Sequence, residues 1–149
     1  MNRLLLKNCK ILLPDYSVET GNILVENGAI AALGETPEGI VVSETKDLRG
    51  ALVMPGIVNA HGHTAMTLLR GLGGGLPLKR WLEEAIFPVE AKMTPEDIEA
   101  GVTWGVMEML ACGTVCVADM YDFPEAGGNA FENAGFKANI CRVGLNFVE

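Results

Sequence analysis

Pro55-Gly56-Ile57-Val58-Asn59-Ala60-His61-Gly62-His63 decides how this chain is read, because it carries a short apolar run straight into the chain's two histidines. A β-strand turns alternate side chains to one face. His61 and His63 therefore stand about 7 Å apart at Cα with Gly62 pointing away, and both imidazoles can converge on one cation about 2 Å from each ring nitrogen. The same pair also reads as strand-end histidines bonded to backbone, since neutral imidazole is a structural donor and acceptor too. Chance gives this spacing to roughly one pair in a hundred in a chain of this length, and so short a motif carries its own false-positive risk.

Upstream, the pattern is β. Leu4 to Leu13 is an apolar run ended by Pro14-Asp15. Ile23-Leu24-Val25-Glu26 is joined to Ala29-Ile30-Ala31-Ala32-Leu33 by Asn27-Gly28, a dipeptide suited to a two-residue hairpin because both residues tolerate positive φ. A small antiparallel sheet is expected, with Ile40-Val41-Val42 and Asp47-Leu48-Arg49-Gly50 leading into Leu52-Val53-Met54.

Downstream of Pro55-Gly56, apolar strands alternate with helical patterns, which marks a boundary between residues 1–55 and 56–149. Ile57 to Ala60 reads as a strand and Thr64 to Gly71 as a helical turn that Gly73-Gly74-Gly75 interrupts. Leu76 to Phe87 places Leu78, Trp81, Leu82, Ala85 and Ile86 on one helical face. Thr94-Pro95-Glu96-Asp97 combines an N-cap, a first-turn proline and a third-position carboxylate, so a helix starts there and runs to about Cys112, with Gly113 as its stop. Thr114 to Ala118 reads as a strand buried on both faces, Pro124 to Ala134 as a helix closed by Gly135, and Lys137 to Leu145 as a third strand. Three parallel strands leave a free edge and uncovered apolar surface, so further strands are expected from elsewhere, or from a longer protein of which this is the first part.

The 149 residues carry a net charge of −8 with 49% hydrophobic residues, and no apolar stretch is long enough to span a bilayer. No stripe of Lys or Arg forms, so nucleic acid and anionic membranes are not expected partners and a small molecule is. Lys7 interrupts the apolar N-terminus and no cleavage site follows it, so no signal peptide is read. Cys9, Cys112, Cys116 and Cys141 form no CxxC pair and lie in apolar stretches, as reduced, buried thiols of a cytoplasmic protein do. The glycine run lacks the strand-turn-helix and Lys-Ser/Thr context of a phosphate loop.

Leu52 to His63, followed by Met66-Thr67-Leu68-Leu69-Arg70-Gly71, resembles the amidohydrolase superfamily, above all its 5′-methylthioadenosine/S-adenosylhomocysteine deaminases and their triazine-hydrolase relatives. Trp81-Leu82, Phe87-Pro88-Val89-Glu90, Met107-Glu108-Met109 and Asp119-Met120-Tyr121 fall in the expected order, so the resemblance covers essentially the whole chain. The His-x-His after Pro-Gly is specific to the superfamily; the Trp and Pro-x-Glu segments narrow it to the deaminase-like branch. The resemblance implies an α/β fold in which residues 56–149 are the first βα units, about three strands, of a (β/α)8 TIM barrel. Residues 1–55 would be the N-terminal share of a small β-sandwich. Such a barrel usually takes ~250 residues and keeps its active site at the C-terminal ends of its strands.

The resemblance further implies one divalent ion, usually zinc, with His61 and His63 as its first ligand pair; iron, manganese and nickel accept imidazole as well. The later ligands and the general acid/base carboxylate have no counterpart before Glu149, so the 149 residues alone are expected to bind metal weakly and not to catalyse. For the complete protein the implied reaction is hydrolytic deamination of an aminated purine nucleoside: 5′-methylthioadenosine, S-adenosylhomocysteine or adenosine. Hydrolysis of a triazine or other heterocycle is the alternative within the enzyme class. From a different class comes a non-catalytic fragment that serves as a structural or assembly part. The expected partners are a nucleoside-like small molecule and either a second copy of the chain or the remainder of the same protein.

Three residues carry implied substrate contacts, each beside a plainer role. Glu90 falls where the deaminases accept hydrogen bonds from ribose hydroxyls; from the residues alone it is a solvated carboxylate just past a helix-ending Pro88. Arg142 falls where they direct an arginine at the substrate; otherwise it makes a structural ion pair with a carboxylate such as Asp119. Trp81 resembles a pocket-wall aromatic that could stack on a base; from the residues alone, a tryptophan at helical spacing is usually core. Asp119 ends a strand where barrel site residues emerge, or caps the turn into Tyr121-Asp122. Met66, Met107 and Met109 read as packing.

Overall fold

In the computed structural model, which describes residues 2–142, Asn27 and Gly28 take φ of 49° and 83° and turn β2 (Val18–Glu26) back into β3 (Ala29–Gly34). Positive φ at both positions gives the hairpin the twist of its strands. On the other side β2 pairs antiparallel with β1 (Arg3–Leu12). The sheet is not purely antiparallel, however. β4 (Glu44–Asp47) and β5 (Leu52–Val53) both run parallel to β1, giving the order β3-β2-β1-β4 with β5 also on β1. Ile40-Val41-Val42 lies outside any strand and Val41 is 80% exposed, whereas the polar Glu44–Asp47 does the pairing. Cys9, Ile11 and Ile23 form the core of this unit, with Leu6, Leu13, Val25, Leu48 and Val53 packed on it.

The chain divides into two compact units, Met1–Pro55 and Gly56–Glu149. The second is built on a parallel sheet of β6 (Ile57–Gly62), β7 (Thr114–Met120) and β8 (Lys137–Cys141), in that order. Gly62 pairs with Asp119 and Met120 with Cys141, so the C-terminal ends of all three strands meet at one edge. Val143 to Leu145 of the expected third strand lie outside the described residues. β7 buries one face: Val117 is fully covered while Val115 is 45% exposed.

Between the strands run a 3-10 helix (Thr64–Leu69), a helical stretch formed by α1 (Leu78–Arg80), a π turn (Trp81–Ile86) and α2 (Phe87–Glu90), then α3 (Pro95–Ala111) and α4 (Pro124–Asn133). Pro88 does not end its helix. Proline lacks an N–H and its ring collides with the carbonyl four residues back; the wider π turn, in which the Phe87 N–H bonds to the Leu82 carbonyl, makes room for it. Leu78, 70% exposed, falls off the apolar face that Trp81, Leu82, Ala85 and Ile86 share.

The Thr94 and Asp97 side chains cap α3 reciprocally, and Gly113 (φ 80°) follows its end. Ile98, Val102 and Val106 of α3 bury against Val117, Phe131 and Phe136. Gly101 and Gly105 let the helix lie directly on the 3-10 segment: a Cβ at Gly101 would come 2.5 Å from the Ala65 carbonyl oxygen, and one at Gly105 2.4 Å from Thr64 Cγ2. Met66 and Met109 pack on this core, but Met107 is 54% exposed and does not. All four cysteines are free, yet only Cys9 is buried; Cys116 is half-buried, and Cys112 and Cys141, at the ends of α3 and β8, are exposed. No helix among the described residues is long and apolar enough to cross a membrane.

Candidate active site

His61 is the last residue but one of β6, and His63, just past the strand, is the N-cap of the 3-10 helix that follows. Their rings lie on one side of the chain, 4.8 Å apart at their centroids and nearly perpendicular at 85°. His63 Nδ1 lies 2.6 Å from the Met120 carbonyl oxygen. A carbonyl only accepts, so Nδ1 carries the proton and Nε2 keeps its lone pair free, the arrangement in which backbone orients an imidazole for a metal. The next residue is held by the same strand end. Asp119 Oδ1 accepts from the Thr64 backbone N–H at 2.7 Å and from its hydroxyl at 2.6 Å, and both residues are buried. Asp119 thus caps the turn leaving β6, not the turn into Tyr121-Asp122. Two imidazoles suit a divalent ion such as zinc. Among the described residues no group of three or more His, Cys, Asp or Glu side chains is placed to hold one.

Beside His63 opens a cavity of about 190 Å³, walled by Met66, Trp81, Leu82, Ile86, Phe87, Glu90, Met120, Tyr121 and Asp122. Its walls are mostly apolar with a few polar groups, the character of a small-molecule site. Trp81 reaches it half-buried, its indole N–H donating to the Leu72 carbonyl at 2.9 Å. Gly73 seats that ring from the glycine loop: a Cβ there would lie 2.9 Å from Trp81 Cδ1. Glu90 reaches the cavity from the last turn of α2, half-buried, and accepts a hydrogen bond from the Tyr121 hydroxyl at 2.5 Å. Burial first, and then the Glu90 hydrogen bond and charge, push the Tyr121 phenol well above the usual tyrosine range.

The fold therefore brings His63, Trp81 and Glu90 to one cavity and sets His61 against His63. Arg142 stands apart. It follows β8, is exposed, and pairs with Glu125 in the first turn of α4 rather than with Asp119. The sequence reading assigned no role to Tyr121, Met120 or Asp122; their signal was position, since they follow Asp119 at the C-terminal end of a parallel strand, where site residues gather.

A family model described as the amidohydrolase family matches residues 52–146. The 5-methylthioadenosine/S-adenosylhomocysteine deaminase of Natronomonas pharaonis is 46% identical over 143 residues, covering 94% of this chain and 32% of that protein. Among solved structures, an adenosine deaminase from Xanthomonas campestris with bound zinc superposes with a TM-score of 0.84 at 36% identity, covering 91% of this chain and 32% of that one. A triazine hydrolase from Arthobacter aurescens shares the fold, with a TM-score of 0.85 at 22% identity over 95% of this chain and 36% of that one. The chain spans about a third of the length of the curated relatives it matches.

Proposed function

The chain belongs to the amidohydrolase family, and from that premise we propose that the complete protein is a metal-dependent hydrolytic deaminase of aminated purine nucleosides: 5′-methylthioadenosine, S-adenosylhomocysteine or adenosine. In this reading β6, β7 and β8 are the first staves of a (β/α)8 barrel and residues 1–55 are part of a β-sandwich. The observation that carries the proposal is that His63 and Glu90, drawn from a strand end and a helix end 27 positions apart, face one apolar cavity. Support comes also from the relatives' names: the Natronomonas protein is called a deaminase of two such nucleosides.

His61 and His63 would hold the ion, with Met120 and Asp119 fixing their approach. When bound, a divalent ion supplies activation of water for attack on the ring carbon that bears the exocyclic amine. Zinc is the expected ion, given the imidazole donors and the zinc in the Xanthomonas structure. Trp81 would offer its face to the base, and Leu82, Ile86 and Phe87 keep water from it. Glu90, accepting from two ribose hydroxyls, would select sugars and penalise substrates without them. Arg142 completes the proposed substrate set: an ion pair between two exposed side chains is weak, so its guanidinium can exchange Glu125 for a substrate acceptor. At 190 Å³ the cavity falls below the roughly 300–1,000 Å³ of small-molecule sites, as one wall of a larger pocket does.

Ammonia release from adenosine, methylthioadenosine and S-adenosylhomocysteine by the complete protein tests the reading. Turnover of all three, with Glu90→Gln losing its preference for ribosyl over non-ribosyl substrates, is the expected result. Turnover of an aminated or chlorinated triazine with none of the nucleosides would replace the proposal with heterocycle hydrolysis.

A further inference from the structure

We infer that Tyr121 is a positioning residue for Glu90, holding its carboxylate so that a vicinal diol is recognised at a set distance from the metal-side histidine; this rests on the sugar-contact reading of Glu90. Met120 and Tyr121 are consecutive residues at the end of β7. The first gives its carbonyl to His63 Nδ1 at 2.6 Å and the second gives its hydroxyl to Glu90 Oε1 at 2.5 Å. One strand end thereby holds both the imidazole at the metal side of the cavity and the carboxylate at the other, with the His63 and Tyr121 rings 6.3 Å apart at their centroids. Tyr121 is itself locked, 9% exposed and packed in the core with Ile98, Val102 and Phe131.

A glutamate on the final turn of a short helix is otherwise free to rotate about its side-chain bonds, and its last torsion is soft. A buried phenol that keeps its proton is a permanent donor: it occupies one lone pair of Oε1 and leaves the rest of the carboxylate to accept from a ligand. Preorganisation of this kind acts on substrate binding, because it removes the ordering that binding would otherwise require.

The test is Tyr121→Phe in the zinc-loaded complete protein, alongside Glu90→Gln, with adenosine and 2′,3′-dideoxyadenosine as substrates. Expected for Tyr121→Phe are zinc content equal to wild type, a KM for adenosine raised about tenfold with kcat little changed, and a kcat/KM preference for adenosine over the dideoxy analogue reduced by about the same factor. A preference unchanged in Tyr121→Phe while Glu90→Gln abolishes it overturns the role of Tyr121 and leaves that of Glu90 standing. A preference unchanged in both overturns both. Equal loss of kcat/KM on the two substrates assigns Tyr121 to packing alone and also overturns the inference. Should the phenylalanine variant not fold, Tyr121→Met, which fills the space beside Met93 without a hydroxyl, takes its place in the same comparison.

Discussion

His63 gives its Nδ1–H to the Met120 carbonyl, which leaves Nε2 for the proposed ion, and Asp119 fixes the backbone one residue further on. Loss of that anchor should be felt at the metal. Asp119→Ala in the complete protein, which removes the oxygen that accepts from Thr64, is expected to weaken zinc affinity by roughly 10–100-fold while His61 and His63 remain, the range seen when groups that orient metal ligands are lost; competition with a chromogenic chelator measures it, and wild-type affinity would show that the anchor is idle. Tyr121 gives a pH signature. Its phenol is held above the ordinary value near ~10, so the unfolded chain ionises first; the stability this proton confers is present below about pH 10 and is lost as pH rises beyond it. Thermal melts should therefore fall more steeply above about pH 10 in wild type than in Tyr121→Phe. Parallel profiles would contradict the shift. The closeness of His61 and His63 was legible at this scale from the i, i+2 spacing at a strand end, although His63 itself stands one residue past β6. Tyr121 was not, since nothing local says that a tyrosine after Asp119-Met120 meets a glutamate 31 positions earlier.

α3 shows what an element's own sequence can specify. Thr94, Pro95, Asp97 and Gly113 set both its ends within the chain's local chemistry, so Thr94→Ala is expected to cost about 1 kcal/mol in chemical denaturation. Its inner face depends on a neighbour. Gly101 and Gly105 look like poor helix residues until the 3-10 segment is laid across them, where a methyl group at Gly101 would collide with the Ala65 backbone. Gly101→Ala is expected to destabilise by about 1–3 kcal/mol through overpacking, and to loosen zinc as well because the displaced turn begins at His63; a variant as stable as wild type would show that the contact yields easily. Two elements misled the sequence reading for the same reason. Pro88 reads as a stop because nothing local announces the π turn that accommodates it, and Glu44–Asp47 does not read as a strand because its pairing rests on backbone hydrogen bonds to β1, which its polar side chains do not advertise.

At the scale of the molecule the chain supplies two imidazoles and no third group placed to join them among the described residues. The complete protein is accordingly expected to retain about one zinc per chain through dialysis, and the 149 residues alone to lose theirs; metal analysis of both decides, and equal retention would mean that the two histidines suffice. What the sequence by itself determined is a set of local features, namely the Asn27-Gly28 hairpin, both ends of α3 and the spacing of the histidine pair, because these follow from backbone sterics within a few residues. Only the tertiary structure decided the site's neighbourhoods: which carbonyl orients His63, what Asp119 caps, that Glu90 meets Tyr121 and that Arg142 meets Glu125. Those contacts join residues 17 to 57 positions apart, and such partners are chosen by how the parallel strands register and how the helices pack over them, quantities that no single stretch of chain encodes.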